Sequence, residues 1–246
     1  MLAGVADHDA LVLLHAFPLD PRMWQPQVDA FASTRRVETP DLDFTEHPTM
    51  DAMADAVADS LGERGSVPAV VAGLSMGGYV AFALLRRHPE LVRALVLADT
   101  RAGADTDEVR ERRTRQQAQV AEVGSAAPVI EAMLDALPGA TTRTERPDVM
   151  EQIAGLMDKA TAARVTAALE AMKARPDSTP DLAAISVPTL VIVGEEDGVS
   201  PPDSARAMAG AVPGARLAVI PGVGHLSNVE APDAFNRELA AFLDGL

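Results

Sequence analysis

One stretch of the chain, residues 67–87, constrains the fold strongly because its residue composition changes twice. Residues 67–72 are apolar and rich in valine, and residues 80–87 combine good helix formers with two arginines at their end. Between them stands Gly73-Leu74-Ser75-Met76-Gly77-Gly78-Tyr79. A short apolar run, a group of small residues and a helix-forming run predict a strand, a tight turn and a helix in direct succession.

Ser75 carries the hydroxyl group of this turn, and glycines stand two positions before and two positions after it. The pattern Gly-x-Ser-x-Gly is typical of a nucleophile elbow, a strained turn that holds a serine hydroxyl above the end of a sheet. The N-terminus of the following helix favours negative charge that develops there. Because glycine and serine are common, the same five residues also fit a glycine-rich turn with a bystander serine. The motifs downstream decide between the two.

Three further motifs accompany the turn, in a fixed order along the chain. They are His15-Ala-Phe-Pro18, Gly194-Glu-Glu-Asp197-Gly-Val-Ser-Pro201, and Gly222-Val-Gly-His225 with Glu230-Ala-Pro232 after it. With these motifs the chain resembles the α/β-hydrolase superfamily over nearly its whole length. Within the superfamily it is similar to the small esterases, the enol-lactonases and the cofactor-free haloperoxidase-like enzymes. It departs from the usual pattern at Ala16, where the family has glycine.

The resemblance implies an α/β-hydrolase fold, a mostly parallel sheet flanked by helices. Residues 1–101 and 183–246 are predicted to form the core, and residues 102–182 an inserted helical lid. The apolar run Ala10–His15 is predicted to be a strand buried on both faces. Only about ten residues precede it, too few for the family's leading hairpin at ordinary strand lengths. We therefore expect fewer than eight strands, with the N-terminal ones short or missing.

The resemblance also assigns roles to individual residues. It implies that Ser75 is the nucleophile, His225 its general base and Asp197 the carboxylate that orients the imidazole. The backbone N–H groups of Phe17 and Met76 are the expected oxyanion hole. Asp99, which ends the strand predicted at residues 91–97, is the alternative acid. His15 is interpreted as a structural histidine, and no metal or organic cofactor is implied.

The sequence constrains the substrate less than it constrains the type of reaction. We expect a small-molecule carboxylic ester or lactone of small to medium, fairly apolar character. Perhydrolysis, thioester hydrolysis, biosynthetic cyclisation or product release, and a non-catalytic ligand receptor remain alternatives. Four residues are predicted to contact substrate: Trp24, Tyr79, Met133 and Met157. For a substrate that carries a carboxylate, Arg101 and Arg143 are candidate anchors.

Composition excludes several other classes of function. The net charge of −15 disfavours binding to nucleic acid or anionic lipid. The chain contains no cysteine, which excludes disulfides and thiolate chemistry. Residues 1–9 lack the basic segment of a signal peptide, and no apolar run is long enough to span a membrane. These observations predict a cytoplasmic protein, and they leave its oligomeric state open.

The segment predicted to be a lid contains four helical patterns and no strand pattern. The helices are expected at residues 105–123, 128–137, 147–157 and 161–175. Its methionines are interpreted mainly as helix packing, with a few facing the substrate. The charged run Arg110-Glu-Arg-Arg-Thr-Arg115 is interpreted as a solvated helix face.

Overall fold

The computed structural model describes residues 10–246, which contain one six-stranded sheet. All neighbouring strands are parallel, in the order β2-β1-β3-β4-β5-β6. The strands are β1 (Ala10–Leu14), β2 (Val37–Glu38), β3 (Ala69–Leu74), β4 (Val92–Ala98), β5 (Thr189–Gly194) and β6 (Arg216–Ile220). The predicted fold class is confirmed. The predictions for residues 1–9 lie outside the described part of the chain.

The central strands are buried on both faces, as the continuous apolar run at Ala10–Leu14 predicted. Alternate residues of β1 enter two separate apolar clusters, Val12 and Leu14 on one face and Leu11 and Leu13 on the other. This alternation follows from the two-residue repeat of a strand. A parallel sheet covered on both faces has polar groups available only at its strand ends, and these ends carry the candidate site.

Helices follow the strands in the order expected of this architecture. A short 3-10 helix, Pro21–Trp24, leads into α1 (Gln25–Phe31), and α2 (Met50–Glu63) precedes β3. Thr49 caps α2 because its hydroxyl oxygen accepts a hydrogen bond from the Ala52 N–H at 3.0 Å. The remaining core helices are α3 (Met76–Arg87), α9 (Pro202–Ala211), α10 (Ser227–Glu230) and α11 (Pro232–Leu243).

Five α-helices lie between β4 and β5, within residues 102–182. They are α4 (Asp107–Val123), α5 (Ala127–Ala136), α6 (Ala140–Glu145), α7 (Pro147–Gly155) and α8 (Ala162–Ala174). Four of them match the predicted helices, and α6 is an addition that the sequence pattern did not predict. The assignment of residues 102–182 to a separate lid domain stays a prediction. Within residues 10–246 no helix is both long and apolar enough to cross a bilayer.

Candidate active site

Ser75 occupies the turn between β3 and α3 in a conformation that is unusual for a residue with a side chain. Its φ is 54° and its ψ is −112°. The surrounding chain holds it there: the Ser75 N–H donates to the Ala98 carbonyl at 3.0 Å, and the Thr100 hydroxyl donates to the Ser75 carbonyl at 2.8 Å. Strain that is held by such contacts is common at functional sites. The hydroxyl therefore stands at the carboxyl end of the sheet, half-exposed.

The glycines beside Ser75 are required by close packing. A Cβ atom at Gly73 would overlap the Gly77 carbonyl, and one at Gly77 would overlap the Leu14 carbonyl. The elbow therefore presses against both its own strand and β1. This contact explains why the sequence places glycine on each side of the serine.

Asp197 lies in the loop that follows β5, and backbone groups orient its carboxylate. One oxygen, Oδ1, accepts hydrogen bonds from the N–H groups of Val199 and Ser200, both at 2.8 Å. The other oxygen, Oδ2, accepts the Nδ1–H of His225 at 2.8 Å. The Asp197 side chain is buried. The neighbouring Glu195 and Glu196 point elsewhere, to the Gly222 N–H and to Thr141 respectively.

His225 lies in the loop between β6 and α10, and a buried carboxylate organises that loop. Glu230 is 1% exposed. It accepts four hydrogen bonds, from Gly139 N–H (2.8 Å), Thr142 Oγ1 (2.6 Å), Gly224 N–H (3.0 Å) and Leu226 N–H (3.1 Å). Two of these donors are the residues on either side of His225. Glu230 therefore fixes the backbone that carries the imidazole, and it ties that backbone to the turn before α6.

These three loops bring Ser75, His225 and Asp197 into a hydrogen-bonded chain. The Ser75 hydroxyl lies 2.7 Å from His225 Nε2, and His225 Nδ1 lies 2.8 Å from Asp197 Oδ2. Because the carboxylate holds the proton on Nδ1, Nε2 is free to accept one from the serine. This arrangement is suited to activating a hydroxyl for attack on a carbonyl carbon.

Asp99, the alternative acid, lies at the end of β4 and has other partners. Its oxygens accept from the Gly194 N–H at 2.8 Å, and from the Ser227 hydroxyl and N–H at 2.5 and 3.2 Å. Burial, followed by the nearby charge of Asp197, raises the pKa of Asp99 well above its ordinary value. Asp99 thus joins the loop after β5 to the start of α10, and Asp197 contacts the imidazole.

A cavity of about 580 Å³ opens above Ser75 and His225, between the strand ends and the inserted helices. This volume is within the usual range for small-molecule sites. Tyr79 and Met133, two of the predicted substrate contacts, line it. The prediction for Trp24 and Met157 is corrected. Both side chains are buried in the apolar core, where Trp24 packs against Phe235 at a ring distance of 5.9 Å.

Phe17 and Met76, the predicted oxyanion hole, flank the same region. Phe17 follows β1 and lines the cavity with Ser75, whereas Met76 is the first residue of α3. Both also border a smaller cavity of about 30 Å³ beside His15. His15 itself accepts the Leu42 N–H at Nε2, at 2.9 Å, as its interpretation as a structural histidine requires. Because Ser75 immediately precedes α3, the N-terminus of this helix lies beside the serine.

Of the two candidate cationic anchors, only Arg101 lines the cavity. Arg143 instead donates to the carbonyl groups of Asp135 and Pro138. The sequence interpretation missed Arg112 and Arg113, which also line the cavity. Part of the charged run is exposed, as predicted, but one face of α4 turns inward. This inward face could have been predicted from a repeat at helical spacing, which consists of Val109, Arg112, Arg113 and Gln116.

The profile of the alpha/beta hydrolase family matches residues 11–238 of the chain. This protein is a member of the alpha/beta hydrolase family. The pimeloyl-[acyl-carrier protein] methyl ester esterase of Aromatoleum aromaticum is 30% identical, over 91% of this chain and 93% of its own. Among solved structures, a malate-bound thermophilic esterase of Thermogutta terrifontis has 38% identity and a TM-score of 0.91, over 96% of this chain and 90% of its own.

A second solved structure extends the comparison to lactones. The enol-lactonase of Burkholderia xenovorans LB400 is 28% identical with a TM-score of 0.86, over 97% of this chain and 92% of its own. These three similar proteins are two esterases and one enol-lactonase, and they agree with the group that the sequence motifs indicated.

Proposed function

We propose that this protein is a serine hydrolase that acts on carboxylic esters or lactones of small to medium size. The observation that carries the proposal is the hydrogen-bonded chain from Ser75 through His225 to Asp197, with distances of 2.7 and 2.8 Å. The esterases and the enol-lactonase among its relatives support the same chemistry.

In the first half of the reaction, Ser75 Oγ attacks the carbonyl carbon while His225 Nε2 takes its proton. Asp197 stabilises the imidazolium that forms. The carbonyl oxygen becomes an oxyanion near the Phe17 N–H, which follows β1, and the Met76 N–H at the N-terminus of α3. The tetrahedral intermediate then collapses: the bond to the alcohol oxygen breaks, and His225 gives its proton to that oxygen.

In the second half, water releases the acyl group from Ser75. His225 Nε2 removes a proton from the water, and the resulting oxygen nucleophile attacks the acyl-enzyme carbonyl. The bond to Ser75 Oγ breaks, and the imidazolium returns its proton to that oxygen. The products are the carboxylic acid and the regenerated serine.

The test is hydrolysis of a chain-length series of p-nitrophenyl esters by the wild type and by Ser75→Ala. We expect the variant to lose about 10⁴-fold or more in kcat, because it lacks the attacking oxygen. Ser60→Ala, which changes a helix-surface serine of α2, is the matched control and should keep its activity. Ester hydrolysis that survives in Ser75→Ala would contradict the proposal. Ligand binding without multiple turnover by the wild type would favour a receptor instead.

A further inference from the structure

Three arginines form one wall of the cavity above Ser75. Arg112 and Arg113 are on α4, and Arg101 is in the segment between β4 and α4. We call these three residues the arginine wall. Among the described residues that line the cavity there is no aspartate or glutamate. The arginine wall therefore gives the described lining of the cavity a positive charge.

One carboxylate holds two members of the arginine wall, Arg101 and Arg113, and it is shared with a third arginine outside the wall. Asp105 is buried, and it lies 3.0 Å from Arg101, 2.6 Å from Arg113 and 2.6 Å from Arg175. Three guanidinium groups thus meet one carboxylate. The Arg175 guanidinium also stacks over the ring of Tyr79, 4.0 Å from its centroid, and Tyr79 lines the cavity. The network carries a surplus of positive charge into the cavity wall.

Arg112 adds a further charge that the described residues do not neutralise. It is exposed, and residues 10–246 offer it neither a hydrogen bond nor an ion pair. The Nε of Arg101 is buried without an acceptor in the same part of the chain. Acidic residues outnumber basic ones by 36 to 21 in this protein. The positive charge of the arginine wall is therefore local, because the chain as a whole carries a net negative charge.

We propose that the substrate carries a carboxylate at the end remote from its ester or lactone carbonyl, and that the arginine wall binds this carboxylate. The inference rests on the proposed function. A guanidinium group matches the planar geometry of a carboxylate and donates two parallel hydrogen bonds to it. Apolar residues such as Met133 and Leu137 also line the cavity and suit the methylene groups between the two ends. Half-esters of dicarboxylic acids are the simplest substrates of this class.

The test compares two esters that differ at the remote end. Mono-4-nitrophenyl adipate carries a terminal carboxylate, and 4-nitrophenyl hexanoate has a methyl group at the corresponding position. We expect the wild type to hydrolyse the adipate ester with a kcat/KM about tenfold higher, because hydrogen bonds to a charged group contribute roughly that factor. The preference should shrink as salt is added, since part of the arginine wall is exposed.

Two variants of α4 separate the anchor from the overall charge of the protein. Arg112→Gln removes a charge from the arginine wall. Arg115→Gln removes the same charge from the solvent side of the helix, where Arg115 lies 3.7 Å from Glu111 and both are exposed. We expect Arg112→Gln to reduce the adipate preference by about tenfold. Arg115→Gln should leave it within about twofold of the wild-type value.

The outcomes distinguish the anchor from the chemistry. Ser75-dependent release that favours the hexanoate ester, or equal effects of the two arginine variants, would overturn the carboxylate anchor alone. Release from neither ester would overturn the proposed function, and the anchor with it. A preference for the adipate ester that is lost in Arg112→Gln and kept in Arg115→Gln would establish the anchor.

Discussion

Buried carboxylates organise both the strand ends beneath the cavity and the arginine wall above it, but they do so through different partners. Asp99, at the end of β4, and Glu230, at the end of α10, accept hydrogen bonds mainly from backbone N–H groups. Asp105, behind the wall, accepts the guanidinium groups of arginine side chains. The first kind of contact sets the position of the backbone, and the second determines the charge of the wall.

This difference in partners means that reactivity and substrate selectivity depend on different parts of the site. Backbone N–H groups are present whatever side chain a position carries, so the loops that hold Asp197 and His225 depend on few side chains. The wall depends on particular arginines, and a single substitution changes its charge. We infer that substitutions in the arginine wall change the substrate preference more readily than they change the geometry of the triad.

The largest effect on stability is expected from Asp105→Asn. The variant leaves Arg101, Arg113 and Arg175 without their shared charge, and breaking such a buried pair costs about 3 kcal/mol. For a chain of this size, Tm should fall by roughly 6–12 °C. Calorimetry against Asp107→Asn, which changes an exposed aspartate at the start of α4, provides the comparison. Equal Tm values in the two variants would show that the arginines do not need the carboxylate.

A smaller loss of stability, with a loss of activity, is expected from Glu230→Gln. The amide keeps one acceptor oxygen and directs an NH₂ group toward backbone donors, so at least one of the donors loses its partner. Leaving a buried donor unpaired costs about 2 kcal/mol. Because Gly224 and Leu226 flank His225, kcat should fall about tenfold as the imidazole loses its alignment.

Denaturant unfolding and ester hydrolysis, measured in parallel, check both effects. Glu238→Gln on α11 is the control, since that glutamate is half-exposed. A stability loss without any change in kcat would mean that Glu230 supports the fold alone and does not position His225.

The smallest effects are pH dependences of opposite sign at Asp99 and Asp105. Burial raises the pKa of Asp99, so its contribution to stability is present at low pH and is lost as pH rises through the raised value. Burial also acts to raise the pKa of Asp105, but hydrogen bonds and charges from Arg113 and Arg175 outweigh it and lower the pKa. Its contribution is present above the ordinary value, about 3.9, and is lost as pH falls.

Unfolding free energy measured across acidic and neutral pH tests these signs. Relative to the wild type, we expect Asp99→Asn to gain stability as pH rises. We expect Asp105→Asn to lose stability relative to the wild type as pH rises through the acidic range. Profiles that run parallel to the wild type in both variants would remove the proposed contrast between the two carboxylates.

Local sequence patterns were enough to predict those elements whose residues favour the conformation that they adopt in the structure. The apolar run at Ala10–Leu14 predicted a strand buried on both faces, and all of its residues are buried. The glycines around Ser75 predicted the strained turn. The helix α6 was missed because its sequence, Ala-Thr-Thr-Arg-Thr-Glu, contains three β-branched threonines that are poor helix formers. Glu196 and Glu230 bind Thr141, Thr142 and Gly139, and these distant contacts support the helix.

Patterns within short segments were sufficient to predict the strand–helix order, the elbow and the three motifs that carry Ser75, Asp197 and His225. These features depend on neighbouring residues and on short spacings, which a sequence displays directly. The packing of distant elements, in contrast, places Trp24 in the core and Arg112 in the lining of the cavity. The direction of such a side chain depends on which element packs against it, and that element is far away in the chain.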